Sequence, residues 1–126
     1  MDHFPTEHIG LDFAKVEFYE TFMVVTSKEG VEMNEKKIHI LRELAYNFYK
    51  EKSFGYISNR VHDYSRNILP KSYTKQFPKL LAFAIVYKTE DALRIANFEK
   101  YFINVPFKIF SHLDDAIDWM LKQIEQ

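Results

Sequence analysis

The feature that most constrains the fold is an uninterrupted apolar run of eight residues, Leu80–Tyr87. A strand with one face in water alternates polar and apolar side chains, whereas a run that is apolar throughout is typical of a central strand covered on both faces. The run is far shorter than the roughly 20 residues that a helix needs to cross a bilayer. It therefore predicts the middle strand of a sheet and no membrane span.

Two strands are expected to open the chain as an antiparallel hairpin. Leu11–Tyr19 and Phe22–Ser27 are rich in aromatic and β-branched residues at strand spacing. The short Glu20-Thr21 connection between them suits a hairpin. Further strands are predicted at Phe54–Ser58 and at Phe107–Phe110.

Helices are expected between and after these strands. Asn34 and Thr89 favour the N-cap position, and apolar residues recur after each at three- and four-residue steps. The predicted buried sides are Ile38, Leu41, Leu44, Ala45 and Phe48 in the first helix, Ala92, Ile95, Ala96, Phe98 and Phe102 in the next, and Leu113, Ala116, Ile117, Met120, Leu121 and Ile124 in the last. A further short helix is predicted between Pro70 and Pro78.

These elements predict one α/β domain over residues 1–126. Their order is β-β-α-β-α-β-α-β-α, with a mixed sheet of four to five strands, an N-terminal antiparallel hairpin and about four helices. A length of 126 residues suits a single core. The sequence has no internal repeat, low-complexity tract or Ser/Gly-rich linker that would mark a domain boundary.

The charge balance and the residue types narrow the function. With 17 basic and 18 acidic residues, the net charge of −1 provides no general attraction to nucleic acid or anionic lipid. The absence of cysteine excludes Cys-based zinc sites and fits a cytoplasmic protein. The five histidines lack metal-site spacing, and no G-x-G-x-x-G or P-loop is present. We therefore expect neither a metal nor a cofactor.

The predicted order of elements resembles the STAS fold of anti-sigma-factor antagonists and of sulfate-transporter cytoplasmic tails. Closer similarity is to small stand-alone SpoIIAA-like (STAS/SEC14-like) bacterial proteins, in which a strand resembling Tyr56–Arg60 is followed by a pair resembling Tyr64-Ser65. The final helix of that group resembles Phe110–Trp119. The resemblance implies a STAS-like domain from roughly Leu11 to Leu121. It implies no particular reaction, because most such stand-alone proteins have no assigned role.

The resemblance also points to one candidate phosphoacceptor, Ser58. In anti-sigma-factor antagonists the phosphorylated Ser or Thr follows the third strand at a helix N-terminus and is commonly preceded by Asp. Ser58 is the nearest match, but Ile57 precedes it. This departure weakens the expectation of a phosphorylation switch, and no kinase partner is implied.

Ser58, Asn59 and Arg60 form the first part of a candidate ligand- or partner-binding site. They lie where the third predicted strand meets its following loop, at the sheet edge where open α/β folds place ligands. Arg60 is suited to pair bidentately with a phosphate or carboxylate, and Asn59 tolerates the turn conformations of such a loop. The alternative interpretation is a strand end at which Arg60 forms a structural salt bridge.

The second part of the candidate site is the loop that follows. Tyr64, Ser65, Arg66 and Lys71 lie in a segment with a single acidic residue, Arg60–Lys79. This segment suits an anionic ligand, an acidic partner protein or lipid head groups, or it is simply a solvated face. The histidine, aspartate and serine near its start do not predict catalysis, because no G-x-S-x-G turn exposes a nucleophile.

The favoured interpretation is a non-enzymatic binding or regulatory module that contacts a protein or a small anionic ligand through the loop after the third strand. The alternative is a carrier of a lipid-like or other apolar molecule, suggested by an aromatic content of 17%. Core packing would account for the same rings. Homodimerisation, if it occurs, is expected to use an edge strand of the opening hairpin or an aromatic surface patch.

Overall fold

A computed structural model describes residues 4–61, 65–67 and 75–125. Within these ranges the chain forms eight strands and three α-helices. The strands are β1 (Glu7–Gly10), β2 (Ala14–Phe18), β3 (Phe22–Ser27), β4 (Glu32–Asn34), β5 (Phe54–Arg60), β6 (Ser65–Asn67), β7 (Leu80–Tyr87) and β8 (Phe107–Phe110). The helices are α1 (Glu35–Tyr49), α2 (Glu90–Glu99) and α3 (Leu113–Glu125), and one turn of 3-10 helix, Lys100–Phe102, continues α2.

Six of the strands form one mixed sheet in the order β1-β2-β3-β5-β7-β8. The first three are antiparallel neighbours, whereas β3, β5, β7 and β8 run parallel. The short strands β4 and β6 pair in a separate two-stranded parallel sheet. The predicted hairpin is confirmed as β2 and β3, where the Tyr19 N–H donates to the Phe22 carbonyl at 2.8 Å across the connection.

The apolar run forms β7, which lies between β5 and β8 inside the sheet. Ala82–Val86 is fully buried, because helices cover both faces of the sheet. Side chains alternate along the strand, so Phe83 packs with α1 and α2 on one face (the α1/α2 face) and Ala84 packs with α3 on the other (the α3 face). The prediction of a central strand covered on both faces is confirmed.

Aromatic rings fill much of the core on the α1/α2 face. Tyr49 stacks on Phe54 with ring centroids 4.7 Å apart, and Tyr56 stacks on Phe83 at 5.2 Å. Phe77 joins the two pairs, at 6.1 Å from Phe54 and 5.3 Å from Tyr56. These contacts are the offset and edge-to-face arrangements that stabilise aromatic cores. Core packing therefore accounts for the burial of these rings.

The two predicted helix caps are present. Asn34 Oδ1 accepts from the Lys37 N–H at 3.0 Å at the start of α1, and Thr89 Oγ1 accepts from the Ala92 N–H at 3.1 Å at the start of α2. Each oxygen satisfies an amide that has no partner within its own helix. Among the described residues, no helix is both long and apolar enough to cross a membrane.

The main sheet has six strands, more than the four to five that were predicted. The additional strand β1 pairs with β2, and it escaped prediction because Glu7–Gly10 contains a single apolar residue, Ile9. The first predicted strand also begins later than expected. The Leu11 N–H donates to the Ala14 carbonyl at 2.8 Å, which makes the residues between them a turn from β1 into β2.

The helix count also differs from the prediction. The fourth helix, predicted between Pro70 and Pro78, falls largely outside the described residues, of which 75 and 76 are helical. In α2 the predicted buried side is wrong as well. Of that set only Ala96 is buried, whereas Phe98 is 58% exposed and Phe102 is 42% exposed. The reason lies in the contact between α2 and the end of β5.

Candidate functional site

The third predicted strand is β5, and it continues through all three residues of the first part of the candidate site. Ser58, Asn59 and Arg60 are each buried within the strand, so they do not belong to an exposed loop. Because side chains alternate along a strand, Ser58 and Arg60 lie on the α1/α2 face and Asn59 lies on the α3 face. The candidate site is therefore split between two sides of the sheet.

Arg60 forms a buried ion pair with Glu99, the last residue of α2. Nη1 donates to Oε1 at 2.6 Å and Nη2 donates to Oε2 at 3.0 Å, while Nε donates to the Ser58 hydroxyl at 2.9 Å. The two side chains are 2% and 3% exposed. This is the bidentate carboxylate pairing expected of Arg60, but the carboxylate belongs to the chain itself. Of the two interpretations of Arg60, a ligand-binding residue or a member of a structural salt bridge, the structure contains the salt bridge.

Glu99 explains the orientation of α2. A carboxylate leaves water at a high free-energy cost unless a fixed cation meets it, and Arg60 provides that cation beneath the helix. The buried side of α2 consequently consists of Ala96 and Glu99. Sequence reasoning missed Glu99 because its partner lies 39 residues away. The available signal was its position three residues after Ala96, which places both residues on the same side of the helix.

Asn59 pairs across the sheet with Thr26. Its Nδ2 donates to Thr26 Oγ1 at 3.1 Å, and the two residues are register partners on neighbouring parallel strands. Oδ1 of Asn59 is buried and has no hydrogen-bond partner among the described residues. Exchanging the two amide atoms would place Nδ2, instead of Oδ1, at the site without a partner. One polar atom at the carboxyl end of the sheet is thus available to a water molecule or to a ligand.

Ser58 is an acceptor within the ion-pair network. Its buried hydroxyl receives the Arg60 Nε–H, and the other two nitrogens of the same guanidinium bind Glu99. A phosphate at this position would add negative charge to a network that already holds the buried carboxylate, and a kinase would reach the hydroxyl only after the end of β5 had opened. Phosphorylation of Ser58 stays a prediction.

The remaining predicted site residues are only partly described. Tyr64 and Lys71 lie outside the described residues. Ser65 and Arg66 belong to β6, where they pair in register with Glu32 and Met33 of β4. The segment after β5 thus reaches β4, directly before α1.

A surface cleft of about 270 Å³ lies at the opposite end of the parallel strands, near the C-terminus of α1. We call it the α1 cleft. It is lined by Arg42, Ala45, Tyr46, Lys50, Glu51, Phe54, Gln76, Phe77, Pro78 and Lys79. No sequence motif groups these residues, because they come from α1, from the start of β5 and from the segment before β7.

A second surface is the outer side of α2 and of the helical turn that follows it. Ile95, Phe98, Tyr101 and Phe102 are all exposed, and Tyr101 is 77% exposed. Phe98 and Phe102 contact each other with ring centroids 5.1 Å apart. We call these four residues the aromatic face. No group of three or more metal-ligating side chains occurs in the part of the chain that the structure describes.

Comparison with known proteins supports the fold. The chain is similar to the crystal structure of an uncharacterised DUF3478-family protein with a SpoIIAA-like fold from Shewanella loihica PV-4, with a TM-score of 0.58 and 16% sequence identity. The match covers 85% of this chain and 91% of that one. No family model matches the sequence, and no curated protein matches it. The chain therefore has a SpoIIAA-like fold: one mixed six-stranded sheet between helices.

Proposed function

We propose that the protein is a non-enzymatic binding module that contacts another protein through the aromatic face. The observation that carries this proposal is the exposure of Ile95, Phe98, Tyr101 and Phe102 together on one side of α2 and its 3-10 extension. Single exposed apolar residues are ordinary, but contiguous apolar patches on small soluble proteins are commonly interaction sites. Aromatic residues are also enriched among the residues that dominate binding energy.

The rigidity of the supporting helix favours this role. The Arg60–Glu99 ion pair holds the end of α2 against β5, directly before the 3-10 turn that carries Tyr101 and Phe102. The contact between Phe98 and Phe102 orders two of the rings before any partner arrives. Binding to a preorganised surface loses less conformational entropy than binding to a mobile one.

The size and charge of the aromatic face indicate the kind of partner. Aromatic side chains bury roughly 150–250 Å² each, so partial exposure of Phe98, Tyr101 and Phe102 presents apolar area on the order of a few hundred Å². A standard interface buries about 800 Å² per partner. Lys100 lies beside the rings, with its Nζ 5.5 Å from the Tyr101 ring centre. We infer that the partner presents a short apolar segment bordered by a carboxylate.

Site-specific photo-cross-linking tests this function. A benzoylphenylalanine at position 98 is compared with one at Tyr46, an exposed aromatic residue on α1 that lies outside the aromatic face. In a lysate of the source organism, position 98 should yield one discrete adduct that position 46 does not, and mass spectrometry should identify it as another protein.

Two outcomes would contradict the proposal. Equal adducts from both positions would mean that exposure alone governs cross-linking. An adduct of the purified protein with itself, matching the adduct formed in lysate, would mean that the aromatic face meets a second copy of the chain. Purification of the adducted protein and reconstitution of the complex then provide the material for affinity measurements.

A further inference from the structure

We infer that the α1 cleft binds a small organic anion with an apolar body, such as a medium-chain or aromatic carboxylate. The cleft is separate from the aromatic face, because its lining residues come from α1, β5 and residues 76–79 and none of them from α2. This inference therefore stands independently of the proposed protein partner. Three features carry it: an apolar floor, a cationic rim and an unusual backbone conformation on that rim.

The floor of the cleft is made by Ala45, Phe54 and Phe77, all of which are buried. Tyr46, which is half exposed, adds an aromatic wall at the solvent side. A volume of about 270 Å³ lies near the lower limit of the roughly 300–1,000 Å³ that is usual for ligand pockets. The cleft thus fits a small molecule whose apolar part rests on the two phenylalanine rings.

The rim carries three cations and one carboxylate. Arg42, Lys50 and Lys79 line the cleft together with Glu51. Arg42 Nη1 lies 3.1 Å from the carboxylate of the neighbouring residue Glu43, which lies outside the lining. Lys50 and Lys79 therefore supply most of the positive charge that faces the cleft, and they favour an anionic ligand. Their charge must also offset the negative end of the α1 dipole, which disfavours anions at this position.

The third feature is the unusual backbone conformation of Lys50, which the fold does not require to be occupied by a lysine. Its φ of 59° and ψ of −122° lie in a region that residues with a Cβ rarely adopt, and the corresponding position after a helix is commonly glycine. Its N–H donates to the Tyr46 carbonyl at 2.9 Å and closes the helix. A glycine would make the same backbone bond without strain, but it would remove a cation from the rim. Strained backbone of this kind is concentrated at functional sites.

The first experiment identifies the ligand class. The wild-type protein is titrated separately with octanoate, acetate and inorganic phosphate, and amide chemical shifts are followed by NMR. Octanoate should give saturable shifts at Ala45, Lys50 and Phe54 and should bind about tenfold or more tightly than acetate, because only octanoate covers the apolar floor. Phosphate binding as tight as that of octanoate, or no saturable shift with octanoate, would overturn the inference.

The second experiment tests the rim. Lys50→Ala and Lys79→Ala should each weaken octanoate binding several-fold, with Lys52→Ala as the matched control, because Lys52 is an exposed lysine next to the cleft that is not part of its lining. The folded state of each variant is checked by its amide spectrum. Equal affinity in all three variants would overturn the inference. So would octanoate shifts centred on Phe98 and Tyr101, since these belong to the aromatic face.

Discussion

Arg60 at the end of β5 and Glu99 at the end of α2 are joined by two buried hydrogen bonds, of 2.6 Å and 3.0 Å. The pair determines which side of α2 faces the sheet. With Ala96 and Glu99 on the inner side, the spacing of 3.6 residues per turn places Phe98 on the outer side, and Phe102 is exposed in the 3-10 turn that follows. The same ion pair thus connects the predicted binding residues of β5 to the surface that we propose contacts a partner.

Removing one member of the ion pair should destabilise the fold strongly. Arg60→Met removes the guanidinium that binds the buried Glu99 carboxylate, and the expected loss in free energy of unfolding is about 3–5 kcal/mol. Urea denaturation followed by circular dichroism measures this loss. The double variant Arg60→Met/Glu99→Leu removes both charges and should recover much of the stability. Equal destabilisation of the single and double variants would show that the loss of the Arg60 charge beside Glu99 is not the cause.

Gly55→Ala should also destabilise the protein, by about 1–3 kcal/mol in the same assay. A Cβ at position 55 would overlap the sulfur of Met120, a fully buried residue of α3, so the helix or the side chain has to move. Gly10→Ala is the matched control, because its Cβ would meet no atom within 4 Å. Gly55→Ala/Met120→Ala should recover part of the loss. A loss of the same size in Gly10→Ala would contradict the packing explanation.

Lys50→Gly should stabilise the protein by about 1–2 kcal/mol, because it removes a side chain from a backbone conformation that favours glycine. Thermal and urea unfolding both measure the gain. The control is Lys52→Gly, since Lys52 does not have a positive φ and should gain no stability from the change. A loss of stability in Lys50→Gly would mean that the lysine side chain contributes more to folding than its backbone strain costs.

The buried phenol of Tyr49 should lower the free energy of unfolding in alkaline solution. Burial raises the pKa of its phenol well above the ordinary value of 10.0, and the hydroxyl donates to the Tyr19 carbonyl at 2.8 Å. The unfolded chain therefore loses this proton near pH 10 while the folded chain retains it. The stabilising contribution is complete below pH 10 and falls as the pH rises above it.

Urea unfolding midpoints between about pH 9 and pH 11.5 measure this dependence. Tyr49→Phe should show a shallower decline than the wild type. Some decline should persist, because burial, Glu17 and Asp114 also raise the pKa of Tyr19. Identical slopes in the wild type and Tyr49→Phe would refute the role of Tyr49.

Much of the fold could be predicted because its strands and helices have strong local patterns. The central strand Leu80–Tyr87, the hairpin of β2 and β3 and the caps Asn34 and Thr89 each depend on neighbouring residues in the sequence. β1 could not be predicted in this way. Its backbone bonds to β2 stabilise it, and its own side chains are mostly exposed.

The candidate site was less predictable because it depends on contacts between distant residues. Arg60 was recognised as suited to a carboxylate, but the chain supplies that carboxylate from Glu99, on a helix whose apolar pattern suggested the opposite orientation. Residues of the α1 cleft such as Lys50 and Lys79 come from separate segments and share no motif. Apolar periodicity identifies a helix. It does not show which side of the helix faces the sheet when a buried ion pair determines the orientation.

The most direct test of the proposed function is the affinity of the cross-linked partner for variants of the aromatic face. With the partner purified, isothermal titration calorimetry compares the wild type, Phe98→Ala and the matched control Tyr46→Ala, both substitutions being at exposed aromatic residues. Phe98→Ala should weaken Kd by about tenfold or more, as expected for an aromatic residue at the centre of an interface, and Tyr46→Ala should leave Kd nearly unchanged. Equal Kd values for all three proteins would contradict the assignment of the aromatic face as the partner-binding surface.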